Sequence, residues 1–272
     1  MITLSVAIVV HKPDLQVLRR VFETLRIALI AGAEARLFDG SVMILDNSLD
    51  SRVTESVRAE AAAALAGVSS RVEALAENRG FGHGHNAALR YGIAEHYHVV
   101  MNPDLYLDPD ALVQAVRRME AEPTIGLLVA DVRGEDGERH HLCKRNPTFF
   151  DMMLRGFAPV WLRRIFADRM ARMEMRDRDY DREIPDVEYP TGCFMFFRSS
   201  DFKAVRGFDE RYFMYVEDAD IGRRIRQRAS VLYAPSVRVV HRWARGTHRS
   251  WKLRLTTIRS VLIYSWTWGE WW

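Results

Sequence analysis

The chain has 272 residues, 48% of them hydrophobic and 28% charged, so it can bury a substantial core and is not an intrinsically disordered protein. This length fits one large α/β domain or two small domains. The formal net charge of only +3 does not indicate a nucleic-acid-binding protein. From Arg223 to Arg259 the chain nevertheless carries many basic residues and almost no acidic ones. This segment favours an anionic partner, either a diphosphate or a membrane surface, and a solvated basic face is the alternative.

The cysteines and the N-terminal segment indicate in which cellular compartment the protein is located. Cys143 and Cys193 form neither a disulfide framework nor a metal-ligand spacing, which favours a reducing environment. Residues 1–10 are apolar but lack a basic flank and a cleavage site, so they predict a first strand rather than a signal peptide. No stretch reaches the roughly 18 to 20 apolar residues that cross a bilayer. We therefore expect a cytoplasmic protein, either soluble or peripheral on the inner face of the membrane.

Apolar runs alternate with helical patterns through the first 130 residues. Strands are predicted at 1–10, 42–45, 72–75, 97–101 and 125–130, with a helix after each of the first four. Asp14 is expected to cap the first helix, and Asp108 with Pro109 to begin the helix after the fourth strand. This alternation predicts an α/β fold with a mostly parallel, Rossmann-like central sheet flanked by helices.

The second half has a different pattern. A turn is expected at 133–138, helices with a loop at 148–185, an apolar strand at 189–198 and a last strand near 231–233. The acidic segment 215–220 opens an arginine-rich helix. Because no repeat or low-complexity linker interrupts the chain, one compact domain with a C-terminal appendage is expected.

The predicted strand at 97–101 ends at a polar triplet, Asn102-Pro103-Asp104. In an open α/β sheet, ligands bind beyond the carboxyl ends of the strands, so Asn102 and Asp104 are expected to lie in a ligand-binding position. A carboxylate there can hold a hard divalent cation together with phosphate oxygens. All three residue types also favour turns, so the triplet alone leaves a plain turn open.

Three further polar clusters follow predicted strands or precede predicted helices: Asp46-Asn47, the segment 78–86, and Glu217-Asp218. The glycines at 80, 82 and 84 let the backbone approach a ligand closely, and the helix start after them favours an anion. The spacing is not that of the dinucleotide fingerprint, and a tight turn is the alternative for any one glycine.

Six short motifs together resemble glycosyltransferase family 2, which has the GT-A fold. Within that family the pattern is most similar to bacterial rhamnosyltransferases of O-antigen and related cell-surface polysaccharides. The motifs run in the family's order and lie at 46–48, 78–86, 102–104, 191–194, 207–210 and 213–220. The resemblance implies a nucleotide-sugar donor, a divalent metal and an inverting transfer. It also implies a donor half at 1–130, an acceptor half at 131–250 and a tail at 251–272.

On the donor side, the resemblance places Asp46 against the nucleotide base, with the main chain near Val10 and His11 completing that pocket. It places Arg79, Gly80 and Asn86 along the nucleotide and diphosphate.

The implied metal site departs from the family pattern. Asn102-Pro103-Asp104 stands where the family often has Asp-X-Asp, so the first carboxylate is absent. Asp104 is then the main ligand for Mg²⁺ or Mn²⁺, and Asn102 is at most a neutral helper. His241 matches a position from which related enzymes supply a further metal ligand, and a structural histidine is the alternative.

On the acceptor side, Glu217-Asp218 resembles the family's acidic motif, in which the second acid is the general base. An acceptor hydroxyl must lose its proton as it attacks, and a carboxylate within hydrogen-bond reach can take it. The alternative is that these acids complement the helix dipole. Thr191, Gly192 and Cys193 would form the floor of the acceptor site, with Cys193 as a buried small residue rather than a nucleophile.

The metal would neutralise the departing diphosphate. Residues that could assist it electrostatically are Arg242, Arg245, His248 and Arg249.

The tail contains Trp266, Trp268, Trp271 and Trp272 beside basic residues. This composition suits a membrane interface, and packing on the domain or on a partner subunit in a homodimer is the alternative.

The sequence therefore predicts an enzyme that moves one sugar, L-rhamnose from dTDP-L-rhamnose, to a saccharide acceptor carried on a polyprenyl diphosphate. Two alternatives stay open: the same fold with a UDP-hexose donor, and a non-catalytic nucleotide-sugar-binding component of an assembly complex.

Overall fold

The structure, a computed structural model, describes residues 1–242 and 251–272. Within these ranges the strands are β1 (Ile2–Val10), β2 (Phe38–Asp46), β3 (Ser69–Ala74), β4 (Tyr97–Met101), β5 (Leu105–Leu107), β6 (Ile125–Arg133), β7 (Cys143–Lys144), β8 (Tyr189–Pro190), β9 (Phe194–Arg198) and β10 (Ser230–His241). The helices are α1 (Leu15–Glu34), α2 (Ser51–Ala64), α3 (Phe81–Tyr91), α4 (Ala111–Ala121), α5 (Phe149–Phe157), α6 (Val160–Ile165), α7 (Ala167–Met173), α8 (Ser199–Ala204), α9 (Glu217–Arg226) and α10 (Trp251–Trp268).

A central eight-stranded sheet has the order β3-β2-β1-β4-β9-β6-β10-β5. The pairs β1–β2, β1–β4, β2–β3 and β6–β10 are parallel, while β9 runs antiparallel to both β4 and β6. Strand β4 is buried along its whole length, as expected of a strand covered by helices on both faces. The predicted α/β class with a mostly parallel sheet is confirmed.

The helix boundaries show where local signals succeed and fail. The Asp14 carboxylate accepts hydrogen bonds from the backbone of Gln16 and Val17, so its predicted capping role is confirmed. The predicted start of α4 was wrong, because the helix begins at Ala111 with Asp110 as the residue before it. The backbone N–H of Asp108 instead donates to the carbonyl of Arg238 in β10 at 3.2 Å. Residues 108–110 therefore form a turn that leaves β5.

Strand β9 brings the second half of the chain into the sheet of the first half. Phe194 pairs with Met101, and the Asn102 N–H donates to the Cys193 carbonyl at 2.9 Å. The strand predicted at 189–198 is split, since β8 pairs with β7 in a separate two-stranded sheet. Residues 191–193 turn between β8 and β9 and so lie beside the end of β4.

The C-terminal helix α10 packs on the domain with one face. Val261 and Tyr264 are buried in a cluster with Tyr212 and Val216. The Trp268 indole N–H donates to the Asp220 carboxylate at 3.0 Å. Among the described residues, no helix is both long and apolar enough to cross a bilayer.

Replacing Trp268 with phenylalanine should destabilise the protein, because it leaves one oxygen of the buried Asp220 without its donor. We expect the free energy of unfolding to fall by about 1–3 kcal/mol in denaturant titrations. Trp266→Phe is the matched control, since Trp266 is 82% exposed and its replacement should change that free energy by less than about 0.5 kcal/mol. Equal effects of the two substitutions would contradict this assignment.

Candidate active site

Asp46 is the last residue of β2 and pairs with Val10, the last residue of the neighbouring strand β1. Its carboxylate accepts from the Ser48 N–H at 2.8 Å and from the Thr54 hydroxyl at 2.6 Å, and the residue is 1% exposed. The neighbouring Asn47 N–H donates to the Val10 carbonyl at 2.8 Å. Asp46 and the end of β1 therefore lie together, and contact with a nucleotide base stays a prediction.

His11 and the glycine-rich loop lie beside the same strand ends. The His11 Nδ1 is 2.9 Å from the Asn47 carbonyl and 3.3 Å from the Asn78 amide. Gly80 has φ 101°, and a Cβ there would stand 1.8 Å from the carbonyl oxygen of Phe213. Glycine is therefore required at position 80 because the backbone there packs against Phe213. This contact joins the predicted donor loop to the segment 213–220, which carries the acidic motif.

Glu210 organises the side chains that follow Gly80. It accepts from the Asn86 amide at 3.1 Å, lies 2.8 Å from the His83 ring and pairs with Arg79 at 3.6 Å. Although burial opposes it, hydrogen bonds from His83 and Asn86 hold the pKa of Glu210 below its usual value. The Asn86 amide also exchanges two hydrogen bonds of 2.8 Å with the backbone of Phe208. The hydrogen bonds of Asn86 thus hold α3 against the 207–210 motif. The side chain of Arg79 is half exposed.

Asp104 and His241 come together from distant parts of the chain. The His241 Nε2 is 3.1 Å from Asp104 Oδ1, and the Arg242 N–H donates to the Asp104 carbonyl at 3.0 Å. The described residues contain no group of three histidine, cysteine or acidic side chains that could hold a metal. Mg²⁺ is usually held by one or two carboxylates together with substrate phosphates. The pair therefore fits a metal that binds with a diphosphate, and Asn102 adds no negative charge.

Asp218 lies in the first turn of α9 behind a strained backbone. Tyr215 and Val216 both adopt left-handed conformations, with φ 71° and 58°, which is unusual for a β-branched residue such as valine. The Asp218 carboxylate accepts from the Gly192 N–H at 2.9 Å and from the Ala219 N–H at 3.0 Å. Strain of this kind persists where surrounding contacts hold it, often at functional sites.

The two neighbouring acids differ in environment. Burial, and then the charge of Asp218, raises the pKa of Glu217 well above its usual value, and Glu217 is 5% exposed. Burial also raises the pKa of the half-buried Asp218, but Lys144 and the backbone hydrogen bonds oppose that rise. Burial and the Asp218 charge therefore favour the protonated form of Glu217, whereas Lys144 and the backbone donors favour the ionised form of Asp218, which suits it to accept a proton.

Lys144 and Tyr189, neighbours across the β7–β8 pair, were not singled out from the sequence. The Lys144 Nζ lies 3.3 Å from the Thr191 hydroxyl and 4.5 Å from the centre of the Tyr189 ring. Burial, with help from Arg155, lowers the pKa of Lys144 to about 8, although Asp218 opposes the shift. Burial, and then the charge of Asp218, raises the pKa of Tyr189 well above its usual value. No sequence signal marks a two-residue strand, so this cation beside Asp218 was missed.

The strip 191–193 links the two predicted halves of the site. Gly192 bonds to Asp218, while the Cys193 carbonyl bonds to Asn102. Burial, and then the charge of Asp104, raises the pKa of the Cys193 thiol to about 12. Burial likewise raises the pKa of Cys143 to about 12. Both thiols therefore stay protonated and are poor nucleophiles.

Other charged residues of these motifs and the predicted electrostatic helpers have different positions. Asp220 bonds to Arg224 at 2.8 Å and to Trp268, so it supports α10 rather than a ligand. Arg242 is 3.9 Å from Glu135. Arg245, His248 and Arg249 lie outside the described residues.

Solved structures share this arrangement of strands and helices. The mannosyltransferase PcManGT from Pyrobaculum calidifontis, in complex with GDP-Man and Mn²⁺, superposes with a TM-score of 0.59 over 93% of this chain and 60% of its own, at 16% identity. GalNAc-T7 with UDP, GalNAc and Mn²⁺ gives a TM-score of 0.58 over 89% of this chain and 43% of its own, at 14% identity. This chain has the GT-A fold. At these identities the likeness shows the fold alone.

Named relatives come from bacteria. An N-acetylglucosaminyl-diphospho-decaprenol L-rhamnosyltransferase of Mycobacterium tuberculosis is 34% identical over 162 residues, which cover 56% of this chain and 48% of that protein. The rhamnosyltransferase WbbL of Escherichia coli K12 is 28% identical over 180 residues, 63% of each chain. The chain thus spans about half the length of the first relative and less than two thirds of the second. No protein-family profile matches.

The predicted resemblance to bacterial rhamnosyltransferases is confirmed by these relatives, and the predicted GT-A fold by the solved structures. Their names also agree with the predicted enzyme class, glycosyltransferase. The roles of the individual site residues stay predictions.

Replacing Lys144 with methionine should stabilise the protein at neutral pH. Because the pKa of Lys144 falls from 10.5 to about 8 on folding, the unfolded chain binds its proton more tightly. That penalty is full below pH 8 and vanishes as the pH rises through 10.5. At about 1.4 kcal/mol per pKa unit, we expect Lys144→Met to gain up to about 3 kcal/mol at pH 7 and much less above pH 10.

Denaturant titrations at several pH values measure this difference. The exposed Lys203→Met is the matched control and should show little change. A Lys144→Met protein that is no more stable than the parent at pH 7 would contradict the analysis.

Proposed function

We propose that this protein is an inverting glycosyltransferase that moves one sugar, L-rhamnose from dTDP-L-rhamnose, to a saccharide acceptor carried on a polyprenyl diphosphate. The similarity to rhamnosyltransferases supports the sugar, and the name of the mycobacterial relative supports the class of acceptor. The observation that carries the proposal is the hydrogen-bonded strip 191–193, which joins Asp218 to the end of β4 beside Asp104.

Asp218 is the proposed general base. An acceptor hydroxyl placed over the strip 191–193 loses its proton to Asp218 as its oxygen attacks the anomeric carbon. The backbone N–H groups of Gly192 and Ala219 aim the carboxylate, and the nearby charge of Lys144 favours its ionised form. A single displacement inverts the anomeric configuration and needs no covalent intermediate, which agrees with the protonated state of both thiols.

On the donor side, Asp104 and His241 would hold Mg²⁺ or Mn²⁺ together with the diphosphate. When bound, the metal neutralises negative charge on the leaving nucleotide diphosphate. The half-exposed Arg79 is placed to meet that charge, and the network of Glu210, His83 and Asn86 fixes the loop that carries it. Gly80 keeps this loop against Phe213, and Asp46 with His11 lies where the base would be read.

Two alternatives differ in donor or in activity. A UDP-hexose donor suits the same site, since Asp46 would read uracil and thymine through the edges that they share. A non-catalytic nucleotide-sugar-binding role is less well supported, because both Asp104 and Asp218 are present and Asp218 is held by two backbone donors. Location on the inner face of the membrane and homodimerisation also remain proposals.

Asp218→Asn should abolish most turnover and leave donor binding nearly intact. Loss of a general base lowers kcat by about a hundredfold to ten-thousandfold. The assay is rhamnose transfer to a soluble acceptor analogue, with donor affinity measured by calorimetry. Asp39→Asn, an exposed aspartate on β2, is the matched control and should retain the parent rate. Full turnover in Asp218→Asn would rule out this base.

The donor and the metal can be identified together in a panel of dTDP-rhamnose, UDP-glucose, UDP-GlcNAc and GDP-mannose, each with Mg²⁺, Mn²⁺ or chelator. We expect thermal stabilisation and metal-dependent release of dTDP from dTDP-rhamnose alone. Stabilisation by a UDP-sugar and release of UDP would instead favour the hexose alternative. If no donor stabilises the protein or is hydrolysed, the non-catalytic role is favoured.

Asn102→Asp should tighten Mn²⁺ binding, because it restores a second carboxylate beside Asp104. Titration of donor-loaded protein with Mn²⁺ measures this change, and Asp104→Asn should weaken the same binding. If both variants bind Mn²⁺ like the parent, the metal lies elsewhere.

A further inference from the structure

The short helix α6 exposes large apolar side chains that the domain leaves uncovered. Val160, Trp161 and Ile165 are 57%, 63% and 67% exposed, and Phe157 just before them is 40% exposed. Scattered exposed hydrophobic residues are ordinary, but these four large side chains are concentrated between Phe157 and Ile165, and such a concentration indicates an interaction surface.

Residues 270–272 extend this patch. The Phe149 N–H donates to the Glu270 carbonyl at 2.8 Å, which lays residues 270–272 along the start of α5. The Phe150 ring lies 4.4 Å from the Trp272 ring and 5.1 Å from the Phe166 ring. Trp272, itself 77% exposed, therefore continues the aromatic layer of α5 and α6. We call Arg155 to Ile165 together with Trp271 and Trp272 the docking surface.

The charge on the docking surface has one sign. Arg155, Arg163 and Arg164 are exposed, and no aspartate or glutamate occurs between Met152 and Ala167. Tryptophan and arginine together suit the boundary between headgroups and acyl chains of a bilayer that carries anionic lipid. A second copy of the chain fits less well, because a two-fold contact through this surface would bring the arginines of the two copies close together, and like charges repel.

The docking surface borders the acceptor side of the candidate site. Met152 and Met153 of α5 pack against the apolar cluster that contains Tyr189, Val216 and Ala219, the last two of which flank the acidic motif. A bilayer held by α6 would thus lie next to the side chains around Asp218.

We propose that the docking surface binds the headgroup region of an anionic phospholipid bilayer and so brings the membrane to the acceptor side of the site. Lipid binding is independent of the proposed function, whereas delivery of a lipid-linked acceptor to Asp218 rests on it. The tail alone does not form this surface, since Trp268 faces the domain and α6 supplies the exposed apolar side chains.

Flotation of the full chain with vesicles tests the binding. One set of vesicles contains phosphatidylcholine alone and the other contains phosphatidylcholine with phosphatidylglycerol. We expect binding to the second set that weakens at high salt. Trp161→Ala/Ile165→Ala should reduce the partition coefficient at least about tenfold. Arg163→Gln/Arg164→Gln should reduce it by about fivefold for each charge and remove the preference for anionic lipid.

The matched control is Ile27→Ala/Arg58→Gln, which removes an exposed apolar and an exposed basic residue from α1 and α2. Circular dichroism and melting temperature check that each variant folds. The proposal fails if the parent chain binds neither vesicle or if the control loses as much binding as the α6 variants. It also fails if sedimentation shows that the parent chain is a dimer and that only the α6 variants are monomers. That result would assign the surface to a second copy of the chain.

Transfer to a soluble acceptor separates the two proposals. The α6 variants should keep the parent rate with a soluble acceptor and lose rate only with a vesicle-embedded one. Vesicle binding by the parent without transfer to any acceptor would overturn the proposed function and leave the docking surface intact.

Discussion

The hydrogen bond from the Gly192 backbone to the Asp218 carboxylate is the contact on which the site depends. It needs the break between β8 and β9, because an unbroken strand would pair the Gly192 N–H within the sheet. It also needs the left-handed backbone at Tyr215 and Val216, which turns the start of α9 toward that break. The same break brings Cys193 to Asn102, so one irregular segment orients the acid and ties it to the end of β4.

Several features around that hydrogen bond lower the stability of the folded state. A buried ammonium at Lys144, a buried carboxyl at Glu217 and two left-handed residues each disfavour the folded state on their own. A chain selected for stability alone would replace Lys144 with an apolar residue. Their concentration around one half-buried carboxylate is the pattern expected where environments tune an acid and a base to different protonation states.

Sequence patterns predicted the regular part of the fold and the polar ends of the strands. The run 97–101 and the capping residue Asp14 depend on neighbours in the chain, so local signals suffice for them. The start of α4 was misplaced because a contact with Arg238, far along the chain, decides it. Lys144 was missed for the same reason, since its position depends on the pairing of β7 with β8. Likewise, the sequence cannot show that the hydrogen bonds of Asn86 are taken up by Phe208 and Glu210.

The packing of α10 makes the acidic motif part of a larger cooperative unit. Tyr189, Tyr212 and Val216 share one apolar cluster with Val261 and Tyr264. The Ser260 hydroxyl adds a hydrogen bond of 2.9 Å to the Met214 carbonyl. Segments bound in this way open and close together, and native-state hydrogen exchange reports them as one unit. The backbone amides around Asp218 should therefore share the protection of the C-terminal helix, so that a local opening of that helix dismantles the acceptor side while the donor-side sheet stays folded.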